Sequence, residues 1–321
     1  MGEARESRIG PWLVALGAAL WGTESAWRIP LNDVFPADVL VFWEHVILVL
    51  LALPLVIPRL GELRRVSRRT LGWLLFSGVA GSAVGAVLFT LALAHGNPTV
   101  INVVLNIQPV LSTTAAVLLF GDRLAKSFPP WAGLAVIAGM VLVGLGPHFT
   151  LSVDAGIGYA LACALCWGLS TVAGRAVMVE MSLPLAAGLR VIIGLVCMTI
   201  IVGARGLLTA DALWPAAAHA ELAKTVTWLI LLATLSGGIP LLIYFKGLEL
   251  TRASTAGYFE MMQTLAAVVI TWGFFGAALA WWQVIAGVVL MAAVVMVQRA
   301  QEQTALPPPT EPPAIPEARV V

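Results

Sequence analysis

Ten apolar stretches, separated by short polar or charged connections, follow one another along almost the whole chain. A helix needs about 20 mainly apolar residues to cross the hydrocarbon core of a bilayer, and each stretch comes close to this length. The predicted helices 1 to 10 cover residues 10–30, 37–57, 71–94, 98–120, 129–147, 156–176, 184–204, 225–248, 253–275 and 280–298. The longest connection, about 205–224, has room for a small interfacial helix. The pattern predicts an all-α integral membrane protein.

The composition supports this prediction and excludes other classes. Hydrophobic residues make up 60% of the chain, charged residues make up 11%, and the mean hydropathy is +0.95, which is too apolar for a water-soluble domain. A formal net charge of +1 gives no indication of a nucleic-acid partner. Cys163 and Cys166 spell a C-x-x-C with no second pair, so we interpret them as packing residues and predict neither a metal nor a cofactor.

Basic residues indicate the orientation in the membrane. They concentrate in the connections that follow even-numbered helices, above all after helix 2, where they are Arg59, Arg64, Arg65, Arg68 and Arg69. Because cytoplasmic loops carry an excess of Lys and Arg, we predict a cell (inner or plasma) membrane protein with both termini in the cytoplasm. Residues 1–9 form the cytoplasmic N-terminus in this interpretation, and residues 299–321 form a proline-rich, disordered cytoplasmic tail.

The two halves of the chain share landmarks at a nearly constant offset. At offsets of 146 or 155 positions, the matched pairs are Trp21-Gly22 with Trp167-Gly168, Phe89 with Tyr244, Gln108 with Gln263, and Phe120-Gly121 with Phe275-Gly276. We therefore predict two five-helix repeats, residues 10–147 and 156–298. Because each repeat has an odd number of helices, the second inserts upside down, and such inverted repeats let transporters open alternately to either side of the membrane.

With these motifs in this order, the chain resembles the EamA-type transporters of the drug/metabolite transporter superfamily. The resemblance rests on the two Trp-Gly pairs, on Asn106-Ile107-Gln108-Pro109-Val110 in helix 4 and on Phe120-Gly121-Asp122-Arg123-Leu124 before helix 5. It implies transport of a small metabolite, often export, with a central cavity lined mainly by helices 1, 3, 4, 6, 8 and 9. The second half departs from the pattern because Gly276-Ala277-Ala278 has no charges.

Ionisable groups at membrane depth are candidate functional residues, because burying them costs several kcal/mol unless they are paired or hydrated. Glu24 is predicted either to pair with Arg28, one turn further on the same face, or to face the cavity and bind a cationic group or a proton. Glu44 and His45 are candidates for proton coupling. Alternatively, Glu44 forms a structural ion pair with Arg190, its counterpart at an offset of 146.

Polar and aromatic residues in the helices that the resemblance places around the cavity complete the candidate site. The residues predicted to bind substrate are Trp21, Glu24, Asn102, Asn106, Gln108, Trp167, Tyr244, Tyr258, Glu260 and Gln263. An aromatic, acidic pocket of this kind suits an amine or a quaternary ammonium group through cation–π attraction. The alternative roles are interhelical hydrogen bonding for the polar residues and packing for the aromatic ones.

These features predict a secondary active transporter of an amino acid or an amine, working as a proton-coupled exporter by alternating access. An importer of an organic cation such as a choline-like amine is the alternative within this class. A membrane-embedded enzyme is the alternative from another class, but the sequence contains no H-E-x-x-H or G-x-S-x-G motif. The expected partners are the substrate and the lipid bilayer, and small residues at Gly133, Gly139 and Gly287 permit either a homodimer or packing within one chain.

Overall fold

A computed structural model describes residues 9–121, 124–144, 154–250 and 259–302, and all regular structure within these ranges is helical. The first half contains α1 (Gly10–Gly22), α2 (Glu24–Asn32), α3 (Ala37–Val56), α4 (Arg68–Phe76), α5 (Gly85–His95), α6 (Pro98–Val104), α7 (Gln108–Phe120) and α8 (Phe128–Gly144). The second half contains α9 (Ala155–Val177), α10 (Leu183–Ala204), α11 (Ala210–Leu213), α12 (Ala216–Ala220), α13 (Leu222–Ala233), α14 (Ile239–Glu249), α15 (Met262–Phe275) and α16 (Trp281–Glu302). The predicted all-α class is confirmed.

Within the part of the chain that the structure describes, seven continuous helical stretches are long and apolar enough to cross a membrane. They are Ala37–Arg65, Arg68–His95, Pro98–Phe120, Ala155–Val177, Leu183–Ala204, Leu222–Tyr244 and Trp281–Ala300. These stretches correspond to predicted helices 2, 3, 4, 6, 7, 8 and 10. Predicted helices 5 and 9 contain shorter apolar helices, Phe128–Leu142 and Met262–Phe275, and predicted helix 1 is divided into α1 and α2. The protein is therefore a multi-pass membrane protein, and the count of ten spanning helices remains a prediction.

The surface of the bundle agrees with a lipid environment. Large apolar side chains stand outward, with Leu118 78% and Phe274 80% exposed. The five arginines that follow α3 lie at one end of the bundle, which we call the basic end. Asp38 lies in the first turn of α3, so it marks the opposite end, about 30 Å away at 1.5 Å per residue.

Helix packing follows the internal repeat. The first helix of the chain, α1, packs against α14, and its counterpart in the second half, α9, packs against α5. In the same way α1 packs against α15, and α9 packs against α7. The pairs α3 with α10 and α8 with α16 each join a helix to its own counterpart. Exchanging the two halves therefore leaves these packing pairs unchanged, as expected of a pseudo-twofold arrangement.

The repeat extends to local backbone geometry. A π-helical segment, Ser77–Val84, precedes α5, and a second one, Thr234–Gly238, precedes α14 at the corresponding place. Gly121 and Gly276 end α7 and α15 in the left-handed conformation, with φ of 69° and 64°. Left-handed backbone strongly favours glycine, which explains the repeated Phe-Gly pairs of the sequence.

Candidate functional site

A cavity of about 160 Å³ lies between α1, α2, α5, α7, α9, α15 and the segments that adjoin them. A buried water needs only about 10–15 Å³, so this central cavity has room for a small molecule. Eight of the ten residues predicted to bind substrate line it: Trp21, Glu24, Asn102, Asn106, Gln108, Trp167, Glu260 and Gln263. Tyr244 contacts two of them, Trp21 and Glu260, and Tyr258 lies outside the described residues.

Breaks in the helices place these side chains at the cavity. Thr23 separates α1 from α2, and its hydroxyl donates to the Leu20 carbonyl at 2.6 Å. Trp21 and Glu24 therefore flank a junction, rather than lying on one continuous helix as the sequence predicted. A second break separates α6 from α7. It is the 3-10 turn Leu105–Ile107, just before Pro109, which has no N–H to donate.

The two Trp-Gly motifs form equivalent crossings. A Cβ atom added to Gly22 would lie 2.3 Å from the carbonyl oxygen of Gln263. A Cβ atom added to Gly168 would lie 3.3 Å from the carbonyl oxygen of Gln108. Each motif glycine thus packs against the backbone of the repeated glutamine in the other half of the chain. This close approach brings the tryptophan before each glycine to the cavity wall.

Aromatic rings form a matching pair of contacts at the cavity. The rings of Trp21 and Tyr244 have centroids 4.9 Å apart, and those of Trp167 and Phe89 have centroids 5.4 Å apart. Phe89 lines the cavity but was absent from the sequence prediction. The signal that could have found it was its alignment with Tyr244 at an offset of 155.

Arg28 joins the acidic residues on one side of the cavity. Its Nε and Nη2 atoms donate to Glu24 Oε1 at 2.9 and 2.5 Å, and Nη2 also donates to Glu44 Oε2 at 2.7 Å. Nη1 donates to the hydroxyl of Thr90 at 2.6 Å. Arg28 is 0% exposed, so these bonds replace the water that the guanidinium loses on burial. We call Glu24, Arg28, Glu44 and Thr90 the Arg28 cluster.

The Arg28 cluster bears on the alternatives that the sequence left open for Glu24 and Glu44. Glu24 has both proposed positions at once, because it is paired with Arg28 and also borders the cavity. The ion pair between Glu44 and Arg190 is not the arrangement found, since Glu44 bonds to Arg28 instead. The reason is that the break at Thr23 starts a new helix, α2, whose Arg28 points between α3 and α5. Arg190 lies against Gly81, where an added Cβ atom would come within 2.6 Å of its Nη2.

His45 lies away from the central cavity, with both ring nitrogens in hydrogen bonds. Nδ1 lies 2.8 Å from the Val41 carbonyl oxygen, and Nε2 lies 2.8 Å from the Ser82 hydroxyl. A carbonyl only accepts, so Nδ1 carries the hydrogen and Nε2 of the neutral ring accepts from Ser82. Gly194 leaves space for the ring, because an added Cβ atom would lie 2.7 Å from it. This geometry fits a structural role.

Glu260 is the second acidic residue of the cavity. The hydroxyl of Tyr244 donates a hydrogen bond to Glu260 Oε1. The ring of Tyr244 contacts Trp21, so the carboxylate is held beside an aromatic wall. Gly17 permits this arrangement, since a Cβ atom added to it would lie 2.8 Å from Cβ of Tyr244. A carboxylate framed by aromatic rings can hold an ammonium group by charge and by cation–π attraction.

Amide side chains supply the neutral polar wall of the cavity. Thr264 donates to Asn106 Oδ1 at 2.8 Å, and Asn102 Nδ2 donates to Ser25 Oγ at 3.0 Å. Gln108 Nε2 donates to Thr171 Oγ1 at 3.3 Å. The three amide side chains therefore form the interhelical hydrogen bonds considered from the sequence, and they also line the cavity.

Comparisons with known proteins agree with this architecture. A profile of the EamA-like transporter family matches residues 8–145 and 154–299. One solved crystal structure resembles the chain with a TM-score of 0.57 and 18% identity, over 92% of this chain and 99% of its own, a likeness of fold alone. None of the curated proteins matches the chain. Since the family profile covers most of both halves, the chain belongs to the EamA-like transporter family, whose members are membrane transporters of small molecules.

Proposed function

We propose that the protein is a secondary active transporter that exports a small amine or amino acid in exchange for protons. The observation that carries this proposal is the charge of the central cavity. Among the described residues that line it, the charged ones are Glu24 and Glu260, and both are acidic. A cavity with two carboxylates and aromatic walls favours a substrate with a cationic nitrogen and disfavours an organic anion.

The proton coupling is argued from the charges of the Arg28 cluster. The cluster contains one guanidinium and two carboxylates, so it carries a net charge of −1 when both glutamates are ionised. A buried excess charge is costly, and a bound proton or a bound ammonium group would neutralise it. Glu24 is the glutamate of the cluster that borders the cavity, so we assign the exchange of proton and substrate to Glu24.

Alternating access is argued from the repeat. In this proposal, the five-helix repeats at 10–147 and 156–298 are inverted and rock about the central cavity. The basic end faces the cytoplasm in the proposed orientation, and both termini lie on that side. The outward direction of transport follows from the resemblance to exporters of this family.

Import of a quaternary ammonium compound is the second candidate. The observation that favours it is the contact of Trp21 with Tyr244 beside Glu260, because a quaternary nitrogen has no hydrogen to donate and depends on aromatic faces. Choline and a primary amine of similar size therefore separate the two candidates. The importer would accumulate choline from the side opposite to the basic end.

The experiment is uptake into proteoliposomes, with and without an imposed pH gradient, for amines, choline, neutral amino acids and organic acids. Accumulation of an amine or amino acid that collapses with the gradient is the expected result. Glu24→Gln should abolish the response to pH, whereas Glu221→Gln, which alters an exposed ion pair with Lys224, should not. Preference for organic acids, or a normal pH response in Glu24→Gln protein, would refute the proposal.

A further inference from the structure

A second cavity, of about 330 Å³, lies at the end of the bundle opposite to the basic end. Its walls come from the end of α2, the start of α3 and the end of α5, and they include Asn32, Phe35, Asp38, Leu91, His95 and Arg205. Arg205 Nη1 lies 2.7 Å from Asp38 Oδ2 in this wall. We call this cavity the end vestibule. Sequence reasoning assigned no function to any residue that lines it.

The Arg28 cluster lies between the central cavity and the end vestibule. On α2, Glu24 lines the central cavity, Arg28 follows about one turn later, and Asn32 lines the vestibule after a further turn. On α5, Phe89 lines the central cavity, Thr90 bonds to Arg28, and Val87 and Leu91, which share one face at i and i+4, line the vestibule. Two neighbouring helices therefore each contribute residues to the central cavity, to the Arg28 cluster and to the vestibule.

The contacts of Arg28 close the space between these helices. The guanidinium is bonded to α2 through Glu24, to α3 through Glu44 and to α5 through Thr90. It also lies over the ring of Phe89, 5.7 Å from the ring centroid. One fully buried side chain thus ties three helices together at the boundary of the two cavities.

Thr90 is the residue at which the contribution of these contacts to the closed state can be tested. Its hydroxyl donates to the Ala86 carbonyl at 2.7 Å, which leaves its lone pairs for the Arg28 N–H group. Asn32 Nδ2 donates to the Thr90 carbonyl at 3.2 Å and so ties the end of α2 to α5 beside the same boundary. Removing the Thr90 hydroxyl deletes one contact of Arg28 without changing the charge of the cluster.

We propose that the Arg28 cluster is the gate between the central cavity and the end vestibule, and that the vestibule is the exit site for a cationic substrate. This inference rests on the proposed function for its substrate class and orientation. An ammonium group at Glu24 competes with Arg28 for the same carboxylate, so loading the central cavity weakens one of the contacts that close the gate. Arg28 and Thr90 act here as positioning residues.

The test measures access to the central cavity from the vestibule side. The three cysteines of the chain are replaced by alanine, and Leu105→Cys places a reporter thiol in the central cavity. A membrane-impermeant, cationic methanethiosulfonate is applied to oriented vesicles from the side opposite to the basic end. Thr90→Val should raise the rate of modification about tenfold, because a hydrogen bond to a charged group would then no longer hold the closed state.

Three controls make the result specific. Thr90→Ser keeps the hydroxyl and should restore slow modification. Thr114→Val removes a threonine hydroxyl that bonds only within its own helix, to the Val110 carbonyl at 2.8 Å, and should leave the rate unchanged. Leu91→Cys in the vestibule should react rapidly in every background. An unchanged rate at the Leu105→Cys thiol in Thr90→Val protein, with rapid reaction of the Leu91→Cys thiol, would overturn the proposal.

The labelling experiment is independent of the substrate. Faster labelling in Thr90→Val protein that transports no amine or amino acid would support the gate and refute the proposed substrate class. Proton-coupled transport of an amine, together with a labelling rate that Thr90→Val does not change, would support the function and refute the gate. The two failures are therefore distinguishable.

Discussion

Ionisable residues at membrane depth differ in whether their environment lets them change partners. Glu24 borders the cavity, where a substrate or water can replace Arg28. His45 is 2% exposed, and its two nitrogens are occupied by Val41 and Ser82. Protonating the ring would require Ser82 to reverse its hydroxyl and would bury a new charge beside the helix backbone. The proximity of Glu44 and His45 in the sequence therefore suggests a proton relay that the hydrogen bonds do not support.

We predict that His45→Gln leaves the pH profile of transport unchanged. Glutamine replaces at most part of the hydrogen bonding, so the variant should lose about 1–2 kcal/mol of stability and melt at a lower temperature. The measurements are the initial rate of transport against pH and the melting temperature in detergent, each compared with Glu24→Gln. A shift of the pH midpoint in His45→Gln protein would place His45 in the proton pathway.

At the scale of elements, glycines at helix crossings decide how closely the repeats approach. Gly22 meets the Gln263 carbonyl at the crossing of α1 and α15, where backbone atoms cannot move aside as a flexible side chain can. The sequence marked the Trp-Gly pairs as repeated landmarks, which correctly located the two crossings. It did not contain the reason for the glycines, because that reason is a contact with a residue far along the chain, Gln263 for Gly22 and Gln108 for Gly168.

Gly22→Ala should therefore destabilise the protein and impair transport. Overpacking typically costs about 1–3 kcal/mol, which outweighs the gain of about 0.5–1 kcal/mol from replacing glycine by alanine in a helix. Gly174→Ala in α9 is the matched control, since an added Cβ atom there meets nothing within 4 Å, and it should stabilise the protein. Melting temperature and transport rate of the two variants provide the measurement. Equal stability of both variants would contradict the conclusion that the close contact at the crossing of α1 and α15 requires glycine at position 22.

At the scale of the whole molecule, the apolar pattern predicted the class, and the polar and aromatic residues together with the family resemblance predicted most of the cavity wall. Neither predicted which residues meet between helices. The π-helical segments are one physical cause. Each wide turn changes the angular position of the residues that follow it, so a period of 3.6 residues misplaces the faces of α5 and α14. Phe89 and Thr90 both follow such a segment, and both were missed. The pairing of Glu44 with Arg28 also depends on the break at Thr23, and no residue pattern around Thr23 predicted that break.

The two halves of the molecule are also tied together at the basic end by reciprocal hydrogen bonds. Glu180 accepts from the Ser67 N–H at 2.7 Å and from its hydroxyl at 3.0 Å. Glu62 accepts from the Ser182 N–H at 2.9 Å and from its hydroxyl at 2.8 Å. Ser67 and Ser182 precede the first residues of α4 and α10, so each glutamate satisfies a helix N-terminus of the other half.

Because of these hydrogen bonds, the stability of the protein is expected to depend on pH in the acid range. The Ser67 backbone N–H, followed by the Thr70 hydroxyl, holds the pKa of Glu180 below its ordinary value. A carboxyl group whose pKa is lowered by folding stabilises the native state above its unfolded pKa, near 4.3, and loses that contribution as the pH falls through the lower native pKa. Glu180→Gln should therefore lower the melting temperature at pH 7, and its difference from the unaltered protein should shrink below about pH 4. Glu221→Gln, at an exposed ion pair in another connection, is the control. If the difference in melting temperature between Glu180→Gln and the unaltered protein stays constant from pH 7 to pH 3, the charge of Glu180 does not contribute to the contact between the two halves.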